Sequence, residues 1–314
     1  MPTDAMPVKF GLQLWSQQTD WAGFRDTALA AEENGWDSVW TWDHLLAIFG
    51  PWEQPIFEGW TALAALGPIT SRVRLGLMVG ANTFRNPGLT TKLATTLDHV
   101  SDGRAVLGIG AAWFEREHDA FGIPFGASPG ERIGWLDEAV MLMRRLLDGE
   151  RVTHDGATYT MRDAICEPRP VQPHLPILIG GSGRQKTLRV VAERADAWNT
   201  SGPIAEVEDT VAALRRHCDD IGRDIGSIEK TVSFPIILRD DAAAADARMR
   251  ELMAANGVPP DDLDGYLADT PGAVADVLRR YLELGFETFI VRMPAPYDRE
   301  TVERMHEVAE LLVP

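Results

Sequence analysis

The stretch Leu175–Thr200, LPILIGGSGRQKTLRVVAERADAWNT, combines the local features from which the fold of the whole chain can be argued. A short apolar strand, Ile177–Ile179, ends at a glycine-rich run, and a helical pattern and a second short strand follow. Glycine allows the backbone to turn with positive φ, and the first N–H groups of a helix have no partner within the helix. These N–H groups lie at the positive end of the helix dipole, where a phosphate binds well. The stretch therefore predicts either a phosphate cradle or an ordinary turn from strand to helix.

The same order of a short apolar strand followed by a helix recurs along the chain. Short joints such as Glu33–Trp36 and Glu283–Phe286 lead from the end of a helix directly into the next apolar strand. This arrangement is typical of a parallel sheet covered by helices. The eight predicted strands are Val8–Leu14, Ser38–Thr41, Val73–Val79, Ala105–Ile109, Ile177–Ile179, Ala195–Asn199, Lys230–Leu238 and Thr288–Arg292. Eight units in 314 residues favour a (β/α)8 TIM barrel, with a doubly wound parallel sheet as the alternative.

One segment departs from this alternation between the fourth and fifth strands. Asp155-Gly156 lies between two strand-like triplets, 152–154 and 158–160, and this pattern predicts an inserted β-hairpin with a tight turn. The segment from Gly110 to Pro124 is predicted to be a loop. No linker rich in proline or serine interrupts the chain, so residues 1–314 are expected to form a single domain.

Composition excludes several classes of function. The formal net charge of −17 argues against nucleic acid or an anionic membrane as a partner. The two cysteines, Cys166 and Cys218, offer neither a disulfide framework nor a metal cluster. The N-terminus lacks a signal pattern and no apolar run approaches the length of a membrane span, so we expect a soluble cytoplasmic protein.

In a TIM barrel the functional residues lie at the carboxyl ends of the strands. That rim is predicted to be poor in paired carboxylates and metal ligands and rich in tryptophan and glycine. Such a flat apolar pocket with backbone donors suits a planar aromatic cofactor that carries a phosphate. Trp15, Trp42 and Trp113 would line the substrate side, although each could also fill the core. His44 is either a proton donor and acceptor or a hydrogen-bonded structural residue.

Five motifs in this order resemble the luciferase-like monooxygenase superfamily, and within it the oxidoreductases that depend on coenzyme F420, a deazaflavin. The likeness covers nearly the whole chain. The motifs are Gly35–His44 (GWDSVWTWDH), Arg74–Gly76 with Asn82–Pro87 (NTFRNP), Leu97–Arg104 (LDHVSDGR) with Gly108–Trp113, Pro176–Gly183 and Ala195–Asn199.

This resemblance implies a flavin-type ring at the barrel mouth, held against a bulge at the end of the third strand. In the family that bulge often contains a non-proline cis peptide, expected here near Met78–Gly80. The resemblance also implies that His44 is the catalytic residue beside the transfer site, that Asp43 lies near the cofactor, and that the protein forms a homodimer. The cofactor-binding residues implied are Asp43, Met78, Val79, Gly80, Ala81, Asn82, Gly110, Gly180, Gly181 and Ser182, with no metal.

The activity implied is hydride transfer between F420 and a small organic substrate. FMN-dependent monooxygenation and non-catalytic flavin binding are the alternatives, and a metal-dependent barrel hydrolase is a third. The sugar-phosphate dehydrogenase branch has an acidic residue where Gln17 stands, and its phosphate-binding lysines have no evident counterpart here. Both departures argue against a sugar phosphate as the substrate.

Overall fold

A computed structural model describes residues 8–259 and 265–313. Strands and helices alternate along most of this chain, as the sequence predicts. The strands are β1 (Lys9–Leu14), β2 (Ser38–Thr41), β3 (Arg74–Leu77), β4 (Gly80–Ala81), β5 (Ala105–Gly110), β6 (Val152–Asp155), β7 (Thr160–Ala164), β8 (Ile177–Gly180), β9 (Ala197–Thr200), β10 (Glu229–Phe234), β11 (Ile236–Leu238), β12 (Leu267–Asp269) and β13 (Thr288–Met293).

The helices surround the strands. They are α1 (Trp21–Glu33), α2 (Gly59–Leu66), α3 (Pro87–Val100), α4 (Glu115–Phe121), α5 (Pro129–Leu147), α6 (Thr187–Arg194), α7 (Ile204–Ile221), α8 (Ala242–Ala255), α9 (Pro271–Glu283) and α10 (Arg299–Leu312). Within the described residues, none of these helices has the length and apolar character needed to span a bilayer.

A closed ring of parallel strands forms the centre of the molecule. Its order is β1, β2, β3, β5, β8, β9, β10 and β13, and β13 pairs in turn with β1. The short strand β4 continues from β3 and also pairs with β5. Because the ring closes, the sheet is a (β/α)8 barrel, and the alternative of an open doubly wound sheet is wrong.

Alternation along the barrel strands produces two separate apolar layers. Side chains such as Leu12, Leu14 and Val291 point outward and join the large core beneath the helices. Inside the barrel, a smaller cluster closes the lower end: Trp40, Met78, Val106, Leu178, Ala197 and Ile290. Each large apolar side chain buried in this way contributes roughly 1.5–3 kcal/mol to folding. The next inward-facing positions toward the carboxyl ends therefore form the floor of any site at the barrel mouth.

The inserted hairpin is present, but its turn differs from the prediction. Strands β6 and β7 pair antiparallel between the fourth and fifth barrel strands, as predicted. Asp155 pairs with Thr160, so four residues form the loop instead of a tight turn at Asp155-Gly156. Glu138 of α5 explains the wider loop, because its carboxylate accepts hydrogen bonds from the N–H groups of Thr158 and Tyr159.

Two further predictions about secondary structure are wrong. The strand predicted over Lys230–Leu238 divides at Pro235, which has no N–H to donate; β10 belongs to the barrel, whereas β11 pairs outside it with the unpredicted strand β12. The predicted loop between Gly110 and Pro124 contains the helix α4. This helix is only seven residues long and mostly polar, so it gives no periodic apolar signal.

Candidate active site

A cavity of about 730 Å³ opens at the carboxyl ends of the barrel strands. This volume lies within the range of small-molecule and cofactor sites. The predicted site residues that line it are Trp15, Trp42, Asp43, His44, Met78, Val79, Gly80, Ala81, Gly110, Trp113, Gly180 and Gly181. Among the described residues, no group of three or more His, Cys, Asp or Glu is arranged to hold a metal ion.

The predicted bulge interrupts the third barrel strand. The Met78–Val79 peptide is cis, between β3 and β4, which confirms the prediction of a non-proline cis peptide there. Gln13 fixes the bulge from across the barrel, since its Nε2 donates to the carbonyl oxygen of Met78 at 2.6 Å. Val79 packs over Gly110 and Gly180, where an added Cβ would lie 2.9 Å from a Val79 methyl group. The bulge and the two glycines thus form a flat wall of the cavity.

Asp43 supports this bulge from below through contacts within the protein. Its Oδ2 accepts the N–H of Ala81 at 2.8 Å, and Arg85 donates to both carboxylate oxygens at 2.6 and 2.8 Å. Arg85 also donates to Glu58 at 2.8 Å. Burial alone would lower the pKa of Arg85, but hydrogen bonds and charges from Asp43 and Glu58 outweigh it and raise that pKa. The carboxylate of Asp43 is therefore already committed to Arg85 and Ala81.

His44 lies at the end of β2 with a buried carboxylate behind it. Its Nδ1 is 2.9 Å from Oε1 of Glu117, and the other oxygen of Glu117 accepts the N–H of Leu45 at 2.8 Å. A carboxylate can only accept, so Nδ1 carries the hydrogen and Nε2 of the neutral ring keeps its lone pair. Glu117 is 1% exposed and the side chain of His44 is 13% exposed. The arrangement presents a proton-accepting nitrogen to the cavity.

Aromatic side chains form the wall next to His44. Trp15 stacks on Phe49 and also contacts Trp42, with ring centroids 4.7 Å apart in both pairs. Trp113 stands at the rim, 63% exposed, with its ring edge-on to His44. The indole Nε1 of Trp15 is buried without a hydrogen-bond partner in the described part of the chain. This wall offers a flat apolar surface and one free donor.

The predicted phosphate cradle lies between β8 and α6. Gly181 has a φ of +134°, its N–H donates to the carbonyl of Asn199, and its own carbonyl accepts Nε1 of Trp198 at 2.8 Å. The next N–H groups, of Ser182 and Gly183, have no acceptor within residues 8–259 and 265–313. These two N–H groups lie in the turn before α6 and are available to an anion, as an anion-binding site requires.

Two predicted cofactor-binding residues lie outside the cavity lining. Ser182 is exposed just beyond it, on the cradle. Asn82 is buried and donates from Nδ2 to the hydroxyl of Tyr159 at 3.0 Å, so it joins the bulge to the hairpin. Gln17 also has a structural role: it is buried and bonds the backbone of Ile48 and Phe49, which holds the loop after β2.

Several cavity residues were not predicted to act there. Glu117 was missed because α4 was taken for a loop. Arg85, which does not line the cavity but binds Asp43 behind it, was noted only as part of a motif. Gln13 and Arg292 stand at the carboxyl ends of β1 and β13, on the rim that the rule for barrel sites selects, but the sequence assigned neither of them a role. Arg132 reaches the cavity from α5 and gave no signal of this kind in the sequence.

Comparison with known proteins supports one family. Residues 6–287 match the family model described as luciferase-like monooxygenase. The chain is 35% identical over 250 residues to an F420-dependent glucose-6-phosphate dehydrogenase from Kineococcus radiotolerans, covering 77% of this chain and 72% of that protein. A protein with the same description from Nakamurella multipartita is 30% identical over 323 residues, covering 92% of this chain and 91% of the other.

A solved structure supports the same fold. An F420-dependent secondary alcohol dehydrogenase, in complex with an F420–acetone adduct, superposes with a TM-score of 0.85. Its sequence is 21% identical, and the match covers 98% of this chain and 100% of that one.

Proposed function

Because the chain belongs to the luciferase-like monooxygenase family, we propose that it is a coenzyme F420-dependent oxidoreductase. It transfers a hydride between the deazaflavin and a small organic substrate. The observation that carries this proposal is the single cavity that connects His44, the aromatic wall, the bulge and the start of the phosphate cradle. The cofactor is the one named for the relatives at 35% and 30% identity.

The residues around the cavity fit such a cofactor. The unbonded N–H groups of Ser182 and Gly183 would hold a phosphate, and Gly181 gives the chain the turn that exposes them. The flat wall made by Val79 and its two glycine neighbours would hold the ring. We infer that Asp43 supports cofactor binding indirectly, because it fixes the backbone of Ala81 in the bulge. Asn82 supports it in the same way, by joining the bulge to the hairpin.

When bound, the deazaflavin supplies the carbon that gives or accepts the hydride. His44 exchanges the accompanying proton with the substrate through Nε2, because Glu117 holds the hydrogen on Nδ1. Nε1 of Trp15 donates a hydrogen bond to a substrate oxygen on the same side. Trp42 and Trp113 exclude water around that oxygen.

The substrate class stays a small organic molecule. Glucose 6-phosphate is not part of this proposal, because Gln17, which stands where the sugar-phosphate branch has an acidic residue, holds a loop and does not line the cavity. The single-domain organisation, the homodimer and the cytoplasmic location also stay predictions. Cys166 and Cys218 are both free thiols and buried, which is consistent with a reducing compartment.

The cradle can be tested with two substitutions at one position. Ser182→Pro removes one N–H donor, and because a hydrogen bond to a charged group is worth about 1.5–3 kcal/mol, F420 affinity should fall roughly 10- to 100-fold. Ser182→Ala keeps the N–H and is the matched control, with an affinity within about twofold of the parent protein. Fluorescence titration with F420 measures both. Equal affinities in the two variants would remove the backbone cradle from the proposal.

Turnover separates an enzyme from a flavin-binding carrier. We expect the F420-loaded protein to lose the absorbance of the oxidised deazaflavin with at least one hydride donor in a panel of alcohols, aldehydes and sugar phosphates. The reduced cofactor should likewise be reoxidised by the matching acceptor. A protein that binds F420 tightly and changes its absorbance with no member of the panel, in either direction, would be a carrier.

A further inference from the structure

Arg292 places a positive charge on the floor of the cavity. It lies next to Gln13 in the register between β13 and β1, two positions after Ile290 of the cluster that closes the barrel. Side chains two positions apart on a strand share a face, so Arg292 points into the barrel directly above Ile290. It lines the same cavity as His44.

This guanidinium has no partner in the described part of the chain. Its Nε is buried without a hydrogen bond, and no carboxylate within residues 8–259 and 265–313 forms an ion pair with it. Burial lowers the pKa of Arg292 to about 10, so the group is still charged at neutral pH. A buried charge without a partner is costly, and a ligand of opposite charge would offset that cost.

Gln13 contributes a complementary unpaired atom beside it. Its Nε2 is committed to the carbonyl of Met78, which fixes the orientation of the amide and leaves Oε1 as a buried acceptor without a donor. Asn199 of β9 and Ser233 of β10 add polar groups from the two strands next to β13 in the ring. The floor thus offers a cationic donor next to a neutral acceptor.

The carboxylates that line the cavity are paired within the protein. Asp43 is paired with Arg85, and Glu117 with His44. Arg132 is a second, less isolated cation: it approaches from α5, donates to the carbonyl of Phe125 and lies 3.8 Å from the centroid of that ring, although its Nε has no partner among the described residues. In a chain of net charge −17, Arg292 and Arg132 therefore make this cavity a local exception that favours a negatively charged ligand.

We propose that Arg292 and Gln13 form a binding site for an oxygen with a full or partial negative charge, distinct from the phosphate cradle before α6. Arg292 binds the oxygen, and Oε1 of Gln13 accepts from an N–H or O–H next to it. Two ligands carry this chemistry: an anionic substrate such as a hydroxy acid, and the carbonyl edge of the cofactor ring. The proposal rests on the proposed function only for the identity of that cofactor.

The first experiment needs no cofactor. Tryptophan fluorescence of the cofactor-free protein, to which Trp15 and Trp42 of the cavity wall contribute, follows titration with benzoate and with its uncharged ester methyl benzoate. We expect benzoate to bind at least tenfold more tightly than methyl benzoate, because only benzoate is charged, and Arg292→Gln to abolish this preference. Arg292→Lys should retain part of it. Arg132→Gln is the matched control in the same cavity and should keep the preference within about twofold.

The second experiment identifies the source of the oxygen. If it belongs to the substrate, F420-loaded protein still prefers benzoate, and Arg292→Gln leaves F420 affinity within about twofold. If it belongs to the cofactor ring, F420 displaces benzoate, and Arg292→Gln weakens F420 binding at least tenfold. A preference for benzoate that is equal in the parent protein and in Arg292→Gln would overturn the site. Failure of F420 to bind would instead count against the proposed function. The anion site would then be judged by the first experiment, which needs no cofactor.

Thermal stability separates a ligand site from a structural role. Arg292→Met replaces an unpartnered charge by an apolar side chain, so the ligand-free variant should melt at a temperature at least as high as that of the parent protein. A melting temperature several degrees lower would show that Arg292 supports the fold and would contradict the site.

Discussion

The two sides of the cavity differ in how their charges are satisfied. On the side of β2, Asp43 is bound by Arg85, and His44 by Glu117. On the floor, Arg292 and Oε1 of Gln13 have no partner among the described residues. Paired charges position the bulge and the imidazole before any ligand arrives, whereas unpaired groups on the floor remain to be satisfied by a ligand.

This difference separates two kinds of substitution. Changes on the paired side should alter positioning and stability, because they leave a buried partner unsatisfied. Changes on the floor should alter ligand binding with little loss of stability. The predictions below start with the largest expected effect.

His44→Ala should lower turnover by roughly 10²–10⁴-fold, the range for loss of a general acid or base. Cofactor affinity should stay within about twofold, because no contact of the cradle or of the bulge involves this ring. Absorbance of the deazaflavin measures turnover, and fluorescence quenching measures binding. Full activity in the variant would remove His44 from the mechanism.

Asp43→Ala should destabilise the protein by about 3–5 kcal/mol, since it leaves the buried Arg85 with only Glu58 as a partner. Denaturant unfolding of the cofactor-free protein measures this change. In the double variant Asp43→Ala/Arg85→Met, part of the loss should be recovered, because the buried guanidinium is gone and the more exposed Glu58 keeps its bonds to the N–H groups of Trp60 and Thr61. If the double variant is as unstable as the sum of both single variants, the pair is not coupled in this way.

Glu117→Gln tests whether the carboxylate orients the imidazole. An amide can present its NH2 group to Nδ1 and favour the wrong tautomer, so turnover should fall roughly 10-fold or more, and by less than in His44→Ala. Cofactor affinity should be unchanged, and Glu117→Asp should recover part of the activity. If Glu117→Gln instead raised the KM at an unchanged kcat, Glu117 would serve substrate binding.

A paired carboxylate far from the cavity gives the pH dependence. Burial by itself would raise the pKa of Asp298, but hydrogen bonds from Arg239, Thr301 and Arg248 lower it from 3.8 to about 2. Because the pKa of Asp298 is lower in the folded than in the unfolded state, its ionised form stabilises the folded protein at any pH above the unfolded-state pKa. This stabilisation is lost as the pH falls from about 4 to 2. Asp298→Asn should therefore cost about 2–3 kcal/mol at pH 7, since each unit of lowered pKa is worth about 1.4 kcal/mol. Urea unfolding of both proteins should show this gap closing below pH 4, and a constant gap would contradict the ionic role.

Local sequence patterns were sufficient for the barrel. Continuous apolar strands such as Ser38–Thr41 and the capped helices between them carry strong signals, because burial on both faces and helix capping each restrict residue type. The strand through Pro235 was misread, because the pattern does not show which partner a strand will choose. The pairing of β11 with β12 is decided by tertiary contacts.

The sequence predicted only those site residues that lie at the ends of strands or within the family motifs. The cis peptide at Met78–Val79 and the cluster around His44 were identified in this way. Glu117 lies 73 residues after His44, on a short polar helix, so nothing local links the two. The partnerless state of Arg292 is equally invisible in a sequence, because it depends on which carboxylates the fold brings near.

The central claim, that this cavity holds F420 for hydride transfer, is tested most directly by comparing two cofactors on the same cofactor-free protein. Calorimetric titrations with F420 and with FMN give both dissociation constants under one set of conditions. We expect one equivalent of F420 to bind at least tenfold more tightly than FMN. Equal or tighter binding of FMN would contradict the claim and favour an FMN-dependent monooxygenase.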